Sequence, residues 1–239
     1  MISVHLKKVR QRTTISSEEE QVIRGLIAET RRVPADKVLI RHGTKIDTSI
    51  MLLDGWLARC KDLPDGDRQV TQLHVPGDFA DLHGFTLKRL DHDLATLSEC
   101  QIALVPHDRI LALVERFPRL ARYYWFATNV DAAITRELAL SLGQRSAISR
   151  MAHLFCELMT RLEVVDRADP DGFGFPLTQR EIAECLGLTV VHANRTLQAL
   201  RRRKLIELEN RRLTILDRDG LEEIAEFDTD YLYLERTSF

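Results

Sequence analysis

With 239 residues, 44% of them hydrophobic and 29% charged, the chain is long enough for two domains with real cores. No apolar run approaches the ~20 residues of a membrane span. Lys7, Lys8 and Arg10 are followed by no signal-peptide core, so a cytoplasmic protein without membrane partners is expected. The net charge of −2 favours no nucleic acid as a whole, and Cys60, Cys100, Cys156 and Cys185 never form a C-x-x-C, which argues against a zinc ribbon or a local iron–sulfur loop.

Ser16-Ser17 followed by Glu18-Glu19-Glu20 predicts a capped helix start, and Val22, Ile23, Leu26 and Ile27 supply its apolar stripe. From about Arg32 to Val105 short apolar or alternating runs are separated by turn signals: His42-Gly43, Asp54-Gly55, Asp65-Gly66-Asp67 and Pro76-Gly77-Asp78. Many short strands with tight turns predict a small β-barrel or roll. A helical stretch begins near Asp108, and Pro118 opens a long helix to about Leu142. Its residues Leu120, Tyr124, Ala127, Val130, Ile134, Leu138 and Leu142 recur every three or four positions and are expected to form a homodimer seam. Gly143 ends that helix and another begins near Ser146, placing the boundary between residues 1–143 (roll and dimerisation helix) and 144–239. Arg167 to Pro176, rich in Asp, Gly and Pro, reads as a loop.

Thr178-Gln179-Arg180-Glu181 has the form of a capping box, and Ile182, Ala183 and Leu186 face inward from the short helix it starts. Gly187 supplies a turn, Thr189 caps the next helix, and Ala193, Leu197 and Leu200 bury one side of residues 190–203. Two helices joined by a glycine turn, the second ending in Arg201-Arg202-Arg203-Lys204, form a major-groove reader. Leu205 to Glu209, a turn at Asn210-Arg211 and Arg212 to Leu216 predict a hairpin wing. Charge follows the same division: residues 178–212 carry eight basic and four acidic side chains, whereas the segment after Leu216 is acidic. A basic island in a near-neutral chain fits a local phosphate-binding surface.

The stretch "PLTQREIAECLGLTVVHANRTLQALRRRKLIELENRRLTILD" resembles the helix-turn-helix of the Crp/Fnr regulators, and "DGWLARCKDLPDGDRQVTQLHVPGDF" resembles their β-roll turns. The resemblance implies an α+β fold: a cyclic-nucleotide-binding-like β-roll, a long dimerisation helix and a C-terminal winged helix-turn-helix. It implies a dimer on double-stranded DNA with a two-fold symmetric operator, and contact with RNA polymerase. By resemblance Arg195 sits where the family's recognition arginine meets a guanine, and arginine does donate bidentately to O6 and N7. Val191 stands where many members carry a cytosine-reading glutamate, and Asn194 has the right amide for adenine. The set expected to face DNA is Thr178, Gln179, Arg180, Thr189, Val191, His192, Asn194, Arg195, Gln198, Arg202, Arg203 and Arg211.

The sensor reading is mostly negative. Members that bind cyclic AMP carry an Arg-Ser pair in the roll, and by resemblance the corresponding residues here are Leu90-Asp91, so cyclic AMP is not expected to bind. No cysteine precedes Cys60, which argues against the family's N-terminal iron–sulfur cluster. His74, His83 and His92 lack the His-x-His spacing of a cupin metal site, so neither metal nor cofactor is expected. No nucleophile–base grouping points to an enzyme. The competing readings are a cupin-like metal protein with an appended winged helix and a cyclic-nucleotide-responsive module.

Overall fold

The computed structural model describes residues 2–236. Helices α1 (Ser3–Arg12) and α2 (Ser17–Gly25) precede seven strands: β1 (Glu29–Val33), β2 (Val38–Ile40), β3 (Thr48–Asp54), β4 (Leu57–Asp62), β5 (Arg68–His74), β6 (Asp93–Thr96) and β7 (Cys100–Pro106). A short α3 (Gly84–Leu87) lies between β5 and β6. The strands form two antiparallel sheets, ordered β1-β7-β3 and β2-β6-β4-β5, which close as a roll over Ile50, Leu52, Leu57, Leu94 and Ile102. Gly55 makes the β3–β4 turn at φ +91°, where a Cβ would lie 2.3 Å from the carbonyl oxygen of Glu99. Only glycine fits both the turn and that close approach.

The N-terminal helix α1 did not stand out in the sequence, because its apolar residues alternate with Lys7, Lys8, Arg10 and Arg12. Ile2, Leu6 and Val9 are nevertheless buried with Leu26, Met51, Ala103, Ile110 and Leu120 in a core between the roll and its helices. Helices α4 (His107–Arg116) and α5 (Pro118–Gln144) follow, then α6 (Ala147–Glu163).

The stripe on α5 expected to form the seam also serves the chain's own packing. Leu120 and Tyr124 are 1% and 5% exposed because they complete the chain's own core. Ile134 is also buried, and Ala127, Val130 and Leu138 are half-buried, all against the same chain. The exposed face carries Trp125 at 71% exposure, Asn129, Ala132, Arg136 and Leu140 at 48%. An apolar stripe of helical period reports that one side is covered, not by which partner.

The segment read as a loop also folds. Strands β8 (Ala168–Asp169) and β9 (Gly172–Gly174) extend the wing hairpin of β10 (Ile206–Glu209) and β11 (Arg212–Ile215) into a sheet ordered β10-β11-β9-β8. Gly172 lies so close to β11 that a Cβ would sit 2.1 Å from the Leu213 carbonyl oxygen. Asn210 and Arg211 both have positive φ, +50° and +58°, matching a tight type I′ hairpin. Helices α7 (Gln179–Leu186), α8 (Val190–Arg202) and α9 (Arg218–Ala225) complete the C-terminal half, followed by a 3-10 turn at Asp230–Leu232.

The two halves are not beads on a string. One core runs from Trp56, Cys60, Val70 and Leu73 of the roll through Phe155 and Leu158 of α6 to Leu186, Leu197, Leu200 and Leu221. No helix among the described residues is long and apolar enough to cross a membrane.

Candidate nucleic-acid interface

The helix-turn-helix is set by its caps. The Thr178 hydroxyl accepts from the Glu181 amide at 3.3 Å while the Glu181 carboxylate accepts from the Thr178 amide at 2.6 Å. That satisfies two free N–H groups at the start of α7. Gly187 ends the helix at φ +60°, and the Thr189 hydroxyl accepts from the His192 amide at 3.2 Å to open α8. Ala193, Leu197 and Leu200 point into the core, leaving Val191 (62% exposed), His192, Arg195 and Gln198 on one open face.

Of the expected DNA-facing residues, Thr178, Gln179, Arg180, Thr189, Val191, His192, Arg195, Gln198, Arg202, Arg203 and Arg211 are exposed. Asn194 is half-buried, and its amide donates to the Gln179 side chain at 3.1 Å. One hydrogen of its amide is thus engaged with α7. The basic island also divides in two. Arg180 pairs with Glu184, Arg212 with Asp169 and Asp171, and Arg201 donates to the Leu208 carbonyl of the wing. Arg195, Arg202, Arg203, Lys204 and Arg211 have no acidic partner within salt-bridge distance among the described residues, so their charge faces outward. Spacing alone could not separate these two groups, since the pairings depend on the β8–β9 hairpin.

Several side chains tie this reader to the roll, and the sequence does not show these contacts. Gln69 of β5 donates to the Glu184 carbonyl at 2.7 Å, capping the free end of α7. Arg150 donates to the carbonyls of Leu142 (3.1 Å), Arg145 (3.2 Å) and Leu186, holding together the end of α5, the α5–α6 link and the turn of the reader. Deeper, Arg161 of α6 donates to Asp78 at 2.8 Å, to the Leu73 carbonyl at 2.9 Å and to Glu157 at 2.8 Å. Lys8 of α1 also pairs with Asp78, and the Tyr231 hydroxyl donates to Glu157 at 2.9 Å. Burial works against ionising Asp78, but the Lys8 and Arg161 charges hold its carboxyl well below the usual range.

A second polar cluster lies where the roll meets α5. Arg59 donates to Asp131 at 2.6 Å, to Gln72 at 2.9 Å and to the Ala80 carbonyl at 2.8 Å. Asp81 accepts from the Ile50 amide at 2.6 Å, yet burial pushes its carboxyl up to about 7. Burial likewise pushes the fully enclosed His74 down to about 4, helped by the Arg59 charge. At the positions of the family's Arg-Ser pair, Leu90 is 1% exposed and Asp91 sits at the surface against Lys61 (2.9 Å) and His92 (2.9 Å).

Comparison with known proteins agrees with this geometry. Residues 149–224 match the family described as "Crp-like helix-turn-helix domain" and residues 30–117 the family described as "Cyclic nucleotide-binding domain". A "Probable transcriptional activator" of Rhizobium leguminosarum bv. viciae is 30% identical over 193 residues, covering 80% of this chain and 79% of the relative. "Transcriptional activator protein FnrL" of Cereibacter sphaeroides is 27% identical over 189 residues, 78% of this chain and 75% of its own length. The structure of FixK2 from Bradyrhizobium japonicum has the same fold, with a TM-score of 0.72 at 20% identity over 83% of this chain and 98% of that one.

Proposed function

The chain belongs to the Crp/Fnr family of DNA-binding transcription regulators, and from that premise we propose that it acts as a homodimer whose two α8 helices read a two-fold symmetric operator. The observation that carries this reading is the open face of α8, where Val191, His192, Arg195 and Gln198 stand clear of the core with the outward charges of Arg202, Arg203, Lys204 and Arg211 alongside. Arg195 specifies guanine; Thr178, Gln179, Arg180 and Thr189 contact the backbone at the helix starts, where free N–H groups favour phosphate. Asn194 orients Gln179 in preference to reading a base.

Residues 1–143 serve as sensor and dimerisation unit and residues 144–239 as the DNA-binding unit, which opens with the Arg145–Ser146 link to α6. The dimer seam is the exposed α5 face through Trp125, Asn129, Ala132, Arg136 and Leu140, the side of the long helix that the chain itself leaves open. Cyclic AMP is not the signal, because a buried leucine and a surface carboxylate occupy the positions that would have to donate to its phosphate. The chain works in the cytoplasm, without catalysis, by contact with RNA polymerase, in keeping with relatives named as transcriptional activators. Selection of DNA sites from a random pool by the purified chain tests the proposal: recovery of a symmetric site supports it, and sequence-independent binding overturns it.

A further inference from the structure

The segment after α9 crosses from one half of the chain to the other. Phe227 and Tyr231 pack on the His153 ring of α6, with centroids 5.2 Å and 5.8 Å away. The 3-10 turn at Asp230–Leu232 then lies on α5, and Leu232 is buried there. Tyr233 next meets Phe126 of α5 edge to face at 6.3 Å. The carbonyls of residues 233–235 lie against α1: Arg12 donates to Tyr233 at 3.4 Å and to Glu235, and Gln11 donates to Leu234 at 3.5 Å. A path of contacts thus leads from the DNA-binding half over α5 to the first helix of the chain.

Polar contacts close this path into a ring. The Tyr231 hydroxyl donates to Glu157 at 2.9 Å, Glu157 accepts from Arg161 at 2.8 Å, and Arg161 donates to Asp78 at 2.8 Å. Asp78 in turn holds Lys8, on the same helix as Gln11 and Arg12. Helix α1 is therefore gripped by the roll through Asp78 and by the DNA-binding half through the tail. The matched regions, 30–117 and 149–224, include neither α1 nor the residues beyond 224. Roll and helix-turn-helix are matched without them, and what the two segments add is a tie between the halves. The tie is light enough to open. From residue 226 to 236 only Leu232 is buried, and few apolar contacts with exposed backbone bonds mark a segment that opens before the rest. Nor does it cover the reader, since Val191, His192, Arg195 and Gln198 are exposed with the tail in place.

We propose that residues 227–235 are a strap, fastened to α1, that holds the DNA-binding half against the roll and so sets the direction of α8 relative to α5. The halves are also joined by the Arg145–Ser146 link and by their shared core, and the strap is the tie that can be released without breaking either. Fastened, it presents α8 in one direction with its reading face open. Released, it leaves only a fraction of molecules with α8 so directed, and apparent affinity for DNA falls by that fraction. The inference rests on the DNA-binding reading only for this effect at α8.

The test is amide hydrogen exchange, without DNA, on the full chain and on a chain that stops after Asp228. Strands β3 and β7 of the roll serve as the internal reference for an intact fold. The shortened chain is expected to exchange about tenfold faster or more in α1 and also in α7, as loss of a buried leucine and a hydrogen bond to a carboxylate implies. Helix α7 is the deciding element, because Gln69 ties it to the roll at Glu184 and it reports whether the halves have loosened. Should β3 and β7 lose protection in the shortened chain, full-length Leu232→Asp carries the test with the same expectation. Faster exchange confined to α1 would make the tail a local cover, and that result, or no change at all, overturns the proposal. On a selected DNA site the same variant should bind about threefold weaker or more with unchanged sequence preference; equal affinity overturns the positioning of α8. If the full chain selects no site, the DNA-binding reading fails, while exchange in α1 and α7 still decides the strap.

Discussion

The guanidinium of Arg161, in the first helix of the C-terminal half, meets the carboxylate of Asp78, in the turn that follows β5, at 2.8 Å, and both side chains are buried. Because Asp78 also holds Lys8 of α1, one carboxylate joins three parts of the chain.

Replacing Arg161 with Met leaves Asp78 and Glu157 short of a partner in a dry setting. Breaking a buried pair from one side costs about 3–5 kcal/mol. Urea unfolding should show a loss of that order. The double variant Arg161→Met, Asp78→Asn should lose less than the two single losses added together, since no full charge is then stranded at residue 78. Strict additivity would show that the two groups act independently.

Asp81 gives a pH dependence with a definite sign. Its folded value, about 7, lies above the ordinary carboxylate value of 3.8, so the fold favours the protonated form. The stability it contributes is fully present below the ordinary value and is lost as pH rises toward 7, at up to about 1.4 kcal/mol per pH unit. The fully enclosed His74 acts oppositely, since its lowered value makes stability fall as pH drops from 6.5 toward 4. The difference in unfolding free energy between wild type and Asp81→Asn isolates the carboxyl. It should decline from about pH 4 to 7 and flatten above; a flat difference throughout would mean that Asp81 is ionised in the fold.

The α5 face is tested by a pair of substitutions. Trp125→Glu should give monomers in sedimentation with little loss of unfolding free energy per chain. Leu120→Ala, at a buried core position, should cost about 2–5 kcal/mol yet leave the association state unchanged. Reversal of those results would return the seam to the stripe first expected from the sequence.

These outcomes trace what the sequence makes legible. The helix-turn-helix is readable because its determinants are local: Thr178 with Glu181, Gly187, and Thr189 lie within a few residues of the groups they satisfy. The roll is readable from its turn residues. Which side of α5 faces a partner is not, because α1 and the tail, the segments lying against it, are distant in sequence. Likewise Arg212 and Arg203 look alike in a basic run, and only the β8–β9 hairpin shows Arg212 neutralised by Asp169 and Asp171. Asn194 reads as a base contact, and its bond to Gln179 is invisible in the sequence because the two lie on different helices.

Phosphate contacts by the outward charges carry a salt signature. Each neutralised phosphate contributes about −0.9 to the slope of log affinity against log salt. Changing Arg202 and Arg203 to Ala should flatten that slope by roughly two such steps, whereas Arg212→Ala should barely alter it. An equal effect from Arg212 would mean that its pairing with the β8–β9 hairpin gives way on DNA.

The most direct measurement is site selection with wild type, Arg195→Ala and Val191→Glu, because sequence-specific reading by α8 is the centre of the functional proposal. Wild type is expected to select a symmetric site with a guanine in each half. Arg195→Ala should lose about 1–3 kcal/mol of discrimination for that guanine. The branched methyls of Val191 offer no acceptor to cytosine and meet only apolar groups such as a thymine methyl. Val191→Glu should therefore shift the neighbouring preference toward a cytosine. If all three proteins select the same half-site with equal stringency, residues 191 and 195 do not face the bases, and α8 is not the reading element.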